Sequence, residues 1–394
     1  MEVKILATFF HDYQYGKVLG GVERRFIEIS KELRKKGFTT FAVEYKPSLS
    51  LKLDAGYFSV GMDRLFRGKF FGEMSTLFKL SLMVIRACKA LGCNIVYSTS
   101  SDFANVIPAY FASKFCKIPF VIVFHSFPSE SSSIIMKNPK SLLKNILQRG
   151  HTLDFIMNFL RYRAFLNADY IFTVSNYTKN QVLSSFVPKG ILNSGNGISN
   201  EWFTNAEIPK MYEACYVGRI SPRKRIELLL YSWKEVIAKI PSAKLVIAGG
   251  YENRDYATKC YSITEKLCLT NNVIFTGFID DVAVRNIMIS SRIFISTSAK
   301  EGFGLSILEA MSQKLPCILP ALPSLMENFS NCALFVEGEE PRNWAERVVD
   351  LLLNEEKANA IARNAFINAQ KYSWDVVASR EADVLDKLVS STRT

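Results

Sequence analysis

The stretch RIFISTSAKEGFGLSILEAM, residues 292–311, decides the fold because its apolar pattern changes period halfway along. RIFIST is a short run of β-branched and aromatic residues, which is typical of a buried strand. From Ser306 onward the apolar residues recur at the three- and four-residue spacing of a helix. Gly302 and Gly304 lie between the two patterns and predict a tight turn. This order of strand, turn and helix predicts one repeat of an α/β domain with a parallel sheet.

The same rhythm of short strands and longer helical segments occurs twice along the chain. In the first half the predicted strands are residues 3–9, 38–45, 94–100, 120–125 and 170–175. In the second half they are residues 213–218, 244–250, 272–277, 292–297 and 316–320. Two series of this kind predict two Rossmann-like domains. The turn-rich residues 192–210 form the predicted linker, and a ligand-binding cleft between the domains is expected.

The bulk composition is that of a folded globular protein. Apolar residues make up 48% and charged residues 22% of the 394, without repeats or biased tracts, which argues against disorder. The apolar run of residues 5–10 is too short for a signal peptide and predicts a first buried strand. The most apolar longer stretch, residues 77–91, is interrupted by cations, so no membrane span is predicted.

The cysteine and histidine content argues against a structural metal site. Eight cysteines are scattered without a Cys-x-x-Cys or Cys/His cluster, and the chain has only three histidines. This usage predicts reduced thiols in a cytoplasmic protein without structural zinc.

Positive charge is concentrated in the first half of the sequence. Residues 1–200 carry 26 lysines and arginines against 13 acidic residues, a balance of +13. Residues 201–394 carry 23 against 24, a balance of −1. The excess indicates an anionic partner for the first half, either a membrane surface or nucleic acid.

Two carboxylates flank the glycine turn of residues 292–311. Glu301 precedes Gly302, and Glu309 lies eight residues further on, in the predicted helix. A glycine turn at the carboxyl end of a strand leaves the first N–H groups of the next helix free for an anion, which predicts a phosphate site. The alternative for Glu309 is a capping box with Ser306. Glu301 has no helix to cap and is the stronger candidate.

A second candidate loop is VGRISPRKR, residues 217–225, which directly follows a predicted strand. Arg219 and Lys224 flank a Ser-Pro turn near the start of the next predicted helix, an arrangement that suits a diphosphate. The alternative is a solvated basic surface loop.

Two weaker candidates lie in the first half. LGGVERR, residues 19–25, places Gly20 and Gly21 before a helical run, where backbone N–H groups can approach a phosphate or sugar. His125 ends a predicted strand and is placed to donate a hydrogen bond into a cleft, although an isolated histidine is more often structural.

Together these loops resemble the retaining, nucleotide-sugar-dependent glycosyltransferases of family 4, which have the GT-B fold. The likeness is strongest over residues 213–338, where VGRISPRK, KLVIAGG, NVIFTGFI and the Glu-x7-Glu stretch SAKEGFGLSILEAM match successive motifs of that family. In the first half it rests on GGVER, the strand that ends in His125, VSNYTK (174–179) and SGNGI (194–198).

The resemblance implies fold class α/β, GT-B, with two Rossmann-like domains whose parallel sheets face each other across a cleft. Residues 1–200 would form an N-terminal acceptor-side domain, joined by a C-terminal helix of about residues 376–394. Residues 201–375 would form the nucleotide-sugar-binding domain.

The resemblance also implies a role for each candidate residue. Arg219 and Lys224 would hold the donor diphosphate and stabilise its growing charge. Glu301 would accept hydrogen bonds from the donor sugar, and Glu309 from the ribose. His125 would join Arg219, Lys224 and Glu301 as a catalytic residue, reaching the sugar from the other domain. The other implied donor-binding residues are Gly20, Gly21, Gly218, Gly302, Phe303, Gly304 and Leu305.

The implied reaction moves a sugar from a UDP- or GDP-sugar to a hydroxyl of a glycan or lipid-linked acceptor, with retention of anomeric configuration. Fixed cations and helix N-termini stabilise charge that develops on the leaving diphosphate. The family needs no metal, and no cofactor is expected. In agreement, the chain has no Asp-x-Asp motif, and Asp280-Asp281 is predicted to lie in a loop and cap a helix.

Three positions depart from the family pattern. Residues 314–316, KLP, lack the usual Gly, and Pro323-Ser324 replaces the usual Gly-Gly ahead of Glu327. Arg225 stands where a Gly commonly follows the Lys. These departures leave the nucleotide preference open.

Two segments of the first half, residues 64–89 and 134–166, mix cations with large apolar residues. Basic amphipathic helices lie on anionic membranes, where each cation contributes about 1 kcal/mol. The hypothesis is that this domain binds the cytoplasmic face of the membrane and takes a lipid-linked or membrane-proximal acceptor. The alternative is an ordinary core with a solvated basic face.

Two other functions are alternatives to glycosyl transfer. The pI of about 9.2 suggests nucleic-acid binding, but no helix-turn-helix, zinc or aromatic RNA motif is recognised, so no nucleic-acid partner is predicted. A non-catalytic sugar or nucleotide binder of the same fold is opposed by the presence of Arg219, Lys224 and Glu301. The donor sugar, the nucleotide base, the acceptor and the oligomeric state stay open.

Overall fold

A computed structural model of the chain describes residues 2–10, 20–44, 58–59, 71–126, 152–204, 206 and 208–392. The chain divides into two compact units. The N-terminal unit comprises Met1–Asp12, Leu19–Gly197 and Trp374–Thr394, so it includes both ends of the chain. The C-terminal unit comprises Ile198–Ser373.

The described strands of the N-terminal unit form one parallel sheet in the order β3-β2-β1-β4-β5-β6-β7. These strands are β1 (Val3–Phe9), β2 (Phe38–Glu44), β3 (Phe58–Ser59), β4 (Ile95–Ser98), β5 (Phe120–Phe124), β6 (Tyr170–Thr173) and β7 (Ile191–Asn193). The helices between them are α1 (Gly21–Lys35), α2 (Phe71–Leu91), α3 (Phe103–Cys116), α4 (Thr152–Asn167) and α5 (Asn176–Leu183).

The centre of this sheet is buried on both faces. Every residue of β4 and β5 is buried, which explains why β5 is a continuous apolar run and why β4 has three apolar residues in succession before Ser98, rather than an alternating pattern. Aromatic side chains fill the core beside them, with Phe124 and Phe186 each packed edge-on against Phe165 of α4. The burial positions the loops that follow β4 and β5 at one edge of the sheet.

The described strands of the C-terminal unit form a second parallel sheet in the order β10-β9-β8-β11-β12-β13. They are β8 (Tyr212–Val217), β9 (Leu245–Ala248), β10 (Val273–Gly277), β11 (Ser291–Ile295), β12 (Cys317–Pro320) and β13 (Ala333–Val336). The helices are α6 (Ile226–Lys239), α7 (Arg254–Lys266), α8 (Asp281–Ile289), α9 (Leu305–Ser312), α10 (Pro323–Phe329), α11 (Pro341–Leu353) and α12 (Glu355–Ala369).

Two tryptophans anchor the core of the C-terminal unit. Trp233 of α6 and Trp344 of α11 are fully buried, and the two helices pack against each other. Burying a large aromatic side chain removes roughly 150–250 Å² from water, so this contact holds α6 firmly behind the loop that precedes it.

The last helix, α13 (Trp374–Ser391), belongs to the N-terminal unit and packs against α1. Between the two helices Arg25 and Glu381 form a buried ion pair. Tyr97 Oη donates to Glu381 Oε2 at 2.9 Å, and Ser194 Oγ donates to Glu381 Oε1 at 2.8 Å. Burial alone would lower the pKa of the Arg25 guanidinium, but Glu381 and Tyr97 raise it above its usual range. The arginine is therefore charged at any pH at which the protein is folded.

The prediction of an α/β fold with two parallel sheets is confirmed. All ten predicted strands are present and all their pairings are parallel. Three short strands were not predicted, namely β3, β7 and β13, and β7 overlaps the predicted linker of residues 192–210. Its three residues are only partly buried, so they lack the continuous apolar run that identifies a strand.

Two further expectations can be compared with the structure. All eight cysteines are free, so no disulfide joins them. Within the described ranges, no helix combines the length and the apolar character that crossing a membrane requires.

Candidate functional site

The candidate site of the C-terminal unit lies where β8 and β11 are neighbours. They are the first and fourth strands of the sheet, so the chain leaves them in opposite directions, and ligands of such sheets bind in the crevice at this point. The loops that follow the two strands are joined directly. Ala299 N donates to Arg223 O at 2.9 Å, and Thr297 Oγ1 donates to Lys224 O and Arg225 O at 3.0 Å each. The sequence stretches 217–225 and 298–311 are thereby brought together.

The loop after β8 is held close to the sheet by a hydrogen bond from a strand side chain to a backbone carbonyl of the loop. Tyr216 Oη donates to Arg219 O at 3.1 Å. Gly218 has φ +156°, and a Cβ there would lie 2.7 Å from the Tyr216 hydroxyl oxygen, so a larger residue would displace the loop.

Arg225 closes the same loop in an unusual conformation. Its φ of 50° is left-handed, which explains why glycine suits this position and why Arg225 departs from the pattern noted in the sequence. The side chain does not enter the site, because its guanidinium pairs with Glu339 at 2.8 Å.

Lys224 and Glu301 form an ion pair across the two loops. Lys224 is the last residue of a short 3-10 turn, Pro222–Lys224, which aims its side chain toward the β11 loop. Glu301 Oε1 also accepts a hydrogen bond from Ser298 Oγ at 2.8 Å. The two side chains are 20% and 14% exposed, so the pair is largely screened from bulk water yet still reachable.

The environment keeps Glu301 ionised. Burial by itself would raise the pKa of this carboxyl, but the Lys224 ammonium, its hydrogen bond, the Ser298 hydroxyl and the more distant Arg223 together lower the pKa below its usual value. A carboxylate held in this way accepts hydrogen bonds at neutral pH and cannot serve as a proton donor.

Gly304 sets the start of α9. It has φ +95°, and a Cβ there would lie 2.7 Å from Ile307 Cδ1. Its carbonyl accepts from the N–H groups of Ile307 and Leu308, both at 3.1 Å. As N-cap, glycine offers no side-chain acceptor to the first N–H groups of α9.

The capping-box interpretation of Ser306 and Glu309 is wrong. The helix begins at Leu305 with Gly304 as N-cap, so Ser306 is already the second helical residue and cannot cap. Glu309 lies on α9 with only 6% of its surface exposed. By contrast, the predicted cap at Asp280 is confirmed, since its side chain accepts from Ala283 N at 2.8 Å.

The remaining predicted residues of this unit lie in the same two loops. Phe303 is buried and packs edge-on against Phe329 and Tyr372, with ring centroids 5.9 and 5.4 Å away. This packing fixes the backbone of Gly302 and Leu305 on either side of it. Arg219 is partly buried, and its guanidinium has no hydrogen bond or ion pair among the described residues. The charges of Arg219 and Glu301 both act on the Tyr216 hydroxyl, so the two groups flank the same residue.

Three predicted residues lie in the N-terminal unit. Gly20 is the N-cap of α1 and Gly21 its first residue, so the helix begins one residue before the predicted run and includes Gly21. His125 follows β5 and its Nε2 lies 3.1 Å from the carbonyl of Thr99.

The hydrogen bond of His125 changes its expected role. A carbonyl can only accept, so Nε2 carries the hydrogen and donates it to Thr99 O within the same unit. Burial, with the Arg25 charge nearby, lowers the pKa of the imidazole to about 4. The ring is therefore neutral at neutral pH, and Nδ1 is a hydrogen-bond acceptor.

Sequence reasoning missed three residues that shape the site. Ser298 holds Glu301, Thr297 joins the loops, and Tyr216 supports the backbone of Arg219. Ser298 stands three residues before Glu301 in the quoted stretch, and that spacing was an available signal. Among the described residues, no group of three or more His, Cys, Asp or Glu side chains is placed to hold a metal ion.

Comparison with known proteins identifies the family. Residues 19–192 match Glycosyltransferase Family 4, and residues 199–367 match Glycosyl transferases group 1. The fold also matches Anabaena HepE, solved in complex with UDP and glucose, with a TM-score of 0.75 and 19% identity over 98% of this chain and 100% of that one. Both halves of the chain therefore match glycosyltransferase families, and its fold is that of the GT-B glycosyltransferases.

Two further similar proteins are consistent with these matches. An uncharacterized glycosyltransferase of Methanocaldococcus jannaschii is 30% identical over 173 residues, which are 43% of this chain and 43% of that protein. The chain is thus matched to less than half the length of that curated relative. Sucrose-phosphate synthase of Thermosynechococcus elongatus has the same fold, with a TM-score of 0.78 and 16% identity over 99% of this chain and 100% of that one.

Proposed function

We propose that this chain is a retaining, metal-independent hexosyltransferase of glycan biosynthesis. It moves a sugar from a UDP- or GDP-sugar to a hydroxyl of a glycan, and the acceptor is lipid-linked or close to a membrane. No organic cofactor takes part, since the nucleotide sugar is itself a substrate. Nucleotide-sugar transfer is supported by the family, and the fold neighbour from Anabaena was solved with UDP and glucose.

The observation that carries the proposal is the Lys224–Glu301 pair beside the start of α9. A lysine ammonium has three N–H donors, and one of them goes to Glu301. The other two are available to a diphosphate without breaking the pair. Arg219, without a partner of its own in the described residues, supplies a second cation. Gly218 lets the backbone approach the same group.

The β11 loop supplies the sugar and ribose contacts of the proposal. Glu301 Oε1 is occupied by Lys224 and Ser298, whereas Oε2 has no partner among the described residues and can accept from sugar hydroxyls. The backbone from Gly302 through Phe303 and Gly304 to Leu305 faces sugar and phosphate. Glu309 is assigned to the ribose hydroxyls.

The proposed chemistry needs charge stabilisation rather than a protein nucleophile. When the glycosidic bond breaks, negative charge grows on the β-phosphate, and fixed cations lower the barrier because they need no reorganisation. Glu301 stays ionised and serves as a hydrogen-bond acceptor, which fits a clamp and not an acid catalyst. Retention and metal independence rest on the family resemblance.

The N-terminal unit is assigned to the acceptor side. Gly20 and Gly21 offer the first N–H groups of α1, which no side chain caps. His125 Nδ1, as an acceptor, can receive the hydroxyl hydrogen of the nucleophile. Its pKa of about 4 makes it a positioning acceptor at neutral pH rather than a strong base.

A panel of nucleoside diphosphates tests the proposal. We expect one of UDP, GDP and ADP to raise the free energy of unfolding by about 2.7 kcal/mol at 100 times its dissociation constant, with its sugar conjugate doing the same. The matching nucleoside monophosphate is the control and should stabilise far less, because it lacks the β-phosphate. Slow release of the nucleoside diphosphate from the sugar conjugate separates an enzyme from a binder. Absence of stabilisation by every member would end the proposal.

Membrane binding is proposed for one exposed face of α2, which we call the α2 basic face. It consists of Phe78, Lys79, Leu82, Arg86 and Lys89, which are all exposed. Phe78 is 66% and Leu82 39% exposed, so large apolar groups stand among three cations. Helical spacing puts them on one side of α2. Of the two predicted basic segments, residues 64–70 and 134–151 lie outside the described residues.

Vesicle flotation at low salt tests this face. We expect the protein to float with phosphatidylglycerol vesicles and not with phosphatidylcholine vesicles, since cations are attracted to anionic lipid. The triple variant K79E/R86E/K89E should lose binding. The double variant K234E/K239E, at exposed positions of α6 in the other unit, should keep it. A wild-type protein that stays with neither vesicle would rule out membrane docking.

A further inference from the structure

Arg161 of α4 is a buried cation without a partner among the residues that the structure describes. The residue is 1% exposed, and its Nη1 and Nη2 atoms have no hydrogen bond among the described residues. Arg161 belongs to the basic segment 134–166, and both interpretations of that segment, a membrane-binding face or a solvated face, require an exposed cation, which Arg161 is not. Buried charges in proteins are normally paired, because an unpaired one loses its hydration without compensation.

The charge persists despite the burial. Burial lowers the pKa of the Arg161 guanidinium to about 10, and the carboxylate of Asp102 opposes that shift. The group is therefore still a cation at neutral pH. No ion pair joins Arg161 and Asp102, since the Asp102 carboxylate instead accepts from Ser100 Oγ at 2.9 Å.

The guanidinium lies at the start of α3. Its Cζ is 4.8 Å from the centre of the Phe103 ring, and Phe103 is the first residue of this 14-residue helix. Stacking on a ring offsets only part of the lost hydration. The N-cap Asp102 makes no side-chain hydrogen bond to the helix, and the N–H groups of Phe103 and Ala104 find no acceptor among the described residues.

The same place adjoins the proposed acceptor residue. The start of α3 follows β4, which neighbours β1 at the point where the strand order of this sheet reverses. His125 is tied to this loop through Thr99, and Ser101 Oγ lies 3.4 Å from the carbonyl of Ser126. An acceptor whose hydroxyl lies near His125 would thus also lie near the first residues of α3, at the same edge of the sheet.

We propose that Arg161 and the first N–H groups of α3 form an oxyanion site that binds a phosphate group carried by the acceptor. The planar guanidinium presents two parallel N–H donors, which match two phosphate oxygens. Helix N-terminal N–H groups supply further donors and a favourable dipole. This inference rests on the proposed function, because it names the chemical class of the acceptor.

Thermal unfolding at constant ionic strength tests the site with three probes: inorganic phosphate, glycerol 3-phosphate and uncharged glycerol. We expect both phosphates to stabilise the wild-type protein and glycerol not to. Arg161→Met should weaken phosphate affinity by roughly 10- to 100-fold, the range expected for losing hydrogen bonds to a charged group. Arg163→Met is the matched control, since Arg163 is exposed on the same helix, and it should bind phosphate as the wild type does.

The anion-free proteins supply a second readout. In phosphate-free buffer Arg161→Met should be at least as stable as the wild type, because it removes a buried charge that no described residue pairs. A clear loss of stability there would mean that protein groups already satisfy the guanidinium, and it would overturn the site. Equal phosphate shifts in all three proteins, or no shift in any, would overturn it as well.

The remaining outcomes separate this site from the donor site. If inorganic phosphate stabilises the protein and glycerol 3-phosphate does not, the site binds only the free anion, and the acceptor assignment is refuted. Arg161→Met should still be stabilised by the nucleoside diphosphate that stabilises the wild type. If that binding holds while phosphate binding fails in every protein, the proposed function survives and the oxyanion site does not.

Discussion

Glu381→Ala is expected to lower the free energy of unfolding by about 3–5 kcal/mol, the range for removing one partner of a buried ion pair. The variant leaves the Arg25 guanidinium in a place where it is 1% exposed, without its carboxylate. Tyr97 and Ser194 lose their acceptor at the same time. Urea unfolding followed by circular dichroism measures the change.

Asp383→Ala is the matched control for this variant. Asp383 lies on the same helix two residues further along and is exposed, so its loss should change stability by less than about 0.5 kcal/mol. Replacing both partners, as in R25M/E381L, should be less damaging than Glu381→Ala, because no buried charge is then left behind. A loss below about 1 kcal/mol for Glu381→Ala would show that the pair does not hold α13 in place.

Lys224→Ala is expected to lower kcat/KM by roughly 10²–10³-fold, the usual effect of removing one preorganised group that stabilises transition-state charge. The ammonium is the group that we assign to the leaving diphosphate. The measurement is release of nucleoside diphosphate from the donor selected by the ligand panel. The effect should fall mainly on kcat, because the charge on the phosphate grows as the bond breaks.

Lys234→Ala controls for charge and composition. Lys234 is exposed on α6 of the same unit and should be silent in the assay. Circular dichroism should show Lys224→Ala folded, since its partner Glu301 can be protonated or hydrated at the partly exposed site. Activity of Lys224→Ala within threefold of the wild type would remove the lysine from the mechanism, whatever the donor proves to be.

Strands with continuous apolar runs were predictable, and strands defined only by pairing were not. β4 and β5 are buried along their whole length, so three consecutive apolar residues mark β4 and five mark β5 in the sequence. β7 has three partly buried residues and is a strand because it pairs with β6. Pairing depends on residues far away in the chain, which a local pattern does not contain.

The site was predictable in its parts and not in its contacts. Lys224 and Glu301 each stood out within their own glycine-containing loop, although 77 residues separate them. Their contact follows from the adjacency of β8 and β11 in the sheet, and the spacing of apolar residues in the sequence does not determine strand order. The capping box failed because the positive φ of Gly304 starts the helix one residue earlier than the pattern suggested. Arg161 was misjudged because charge in a basic segment indicates exposure, while packing of α4 on α3 buries it.

The discontinuous make-up of the N-terminal unit has a consequence during protein synthesis. Arg25 lies 356 residues before Glu381, so its counterion emerges from the ribosome long after it. At roughly 5–20 residues per second, the nascent chain carries this arginine for about 20 to 70 s before α13 exists. The segment Ile198–Ser373, which makes up the described part of the C-terminal unit, is synthesised before that and can fold while the first half is still incomplete. Stop codons shortly before α13 should therefore yield chains whose second half is folded and whose first half is prone to capture by chaperones.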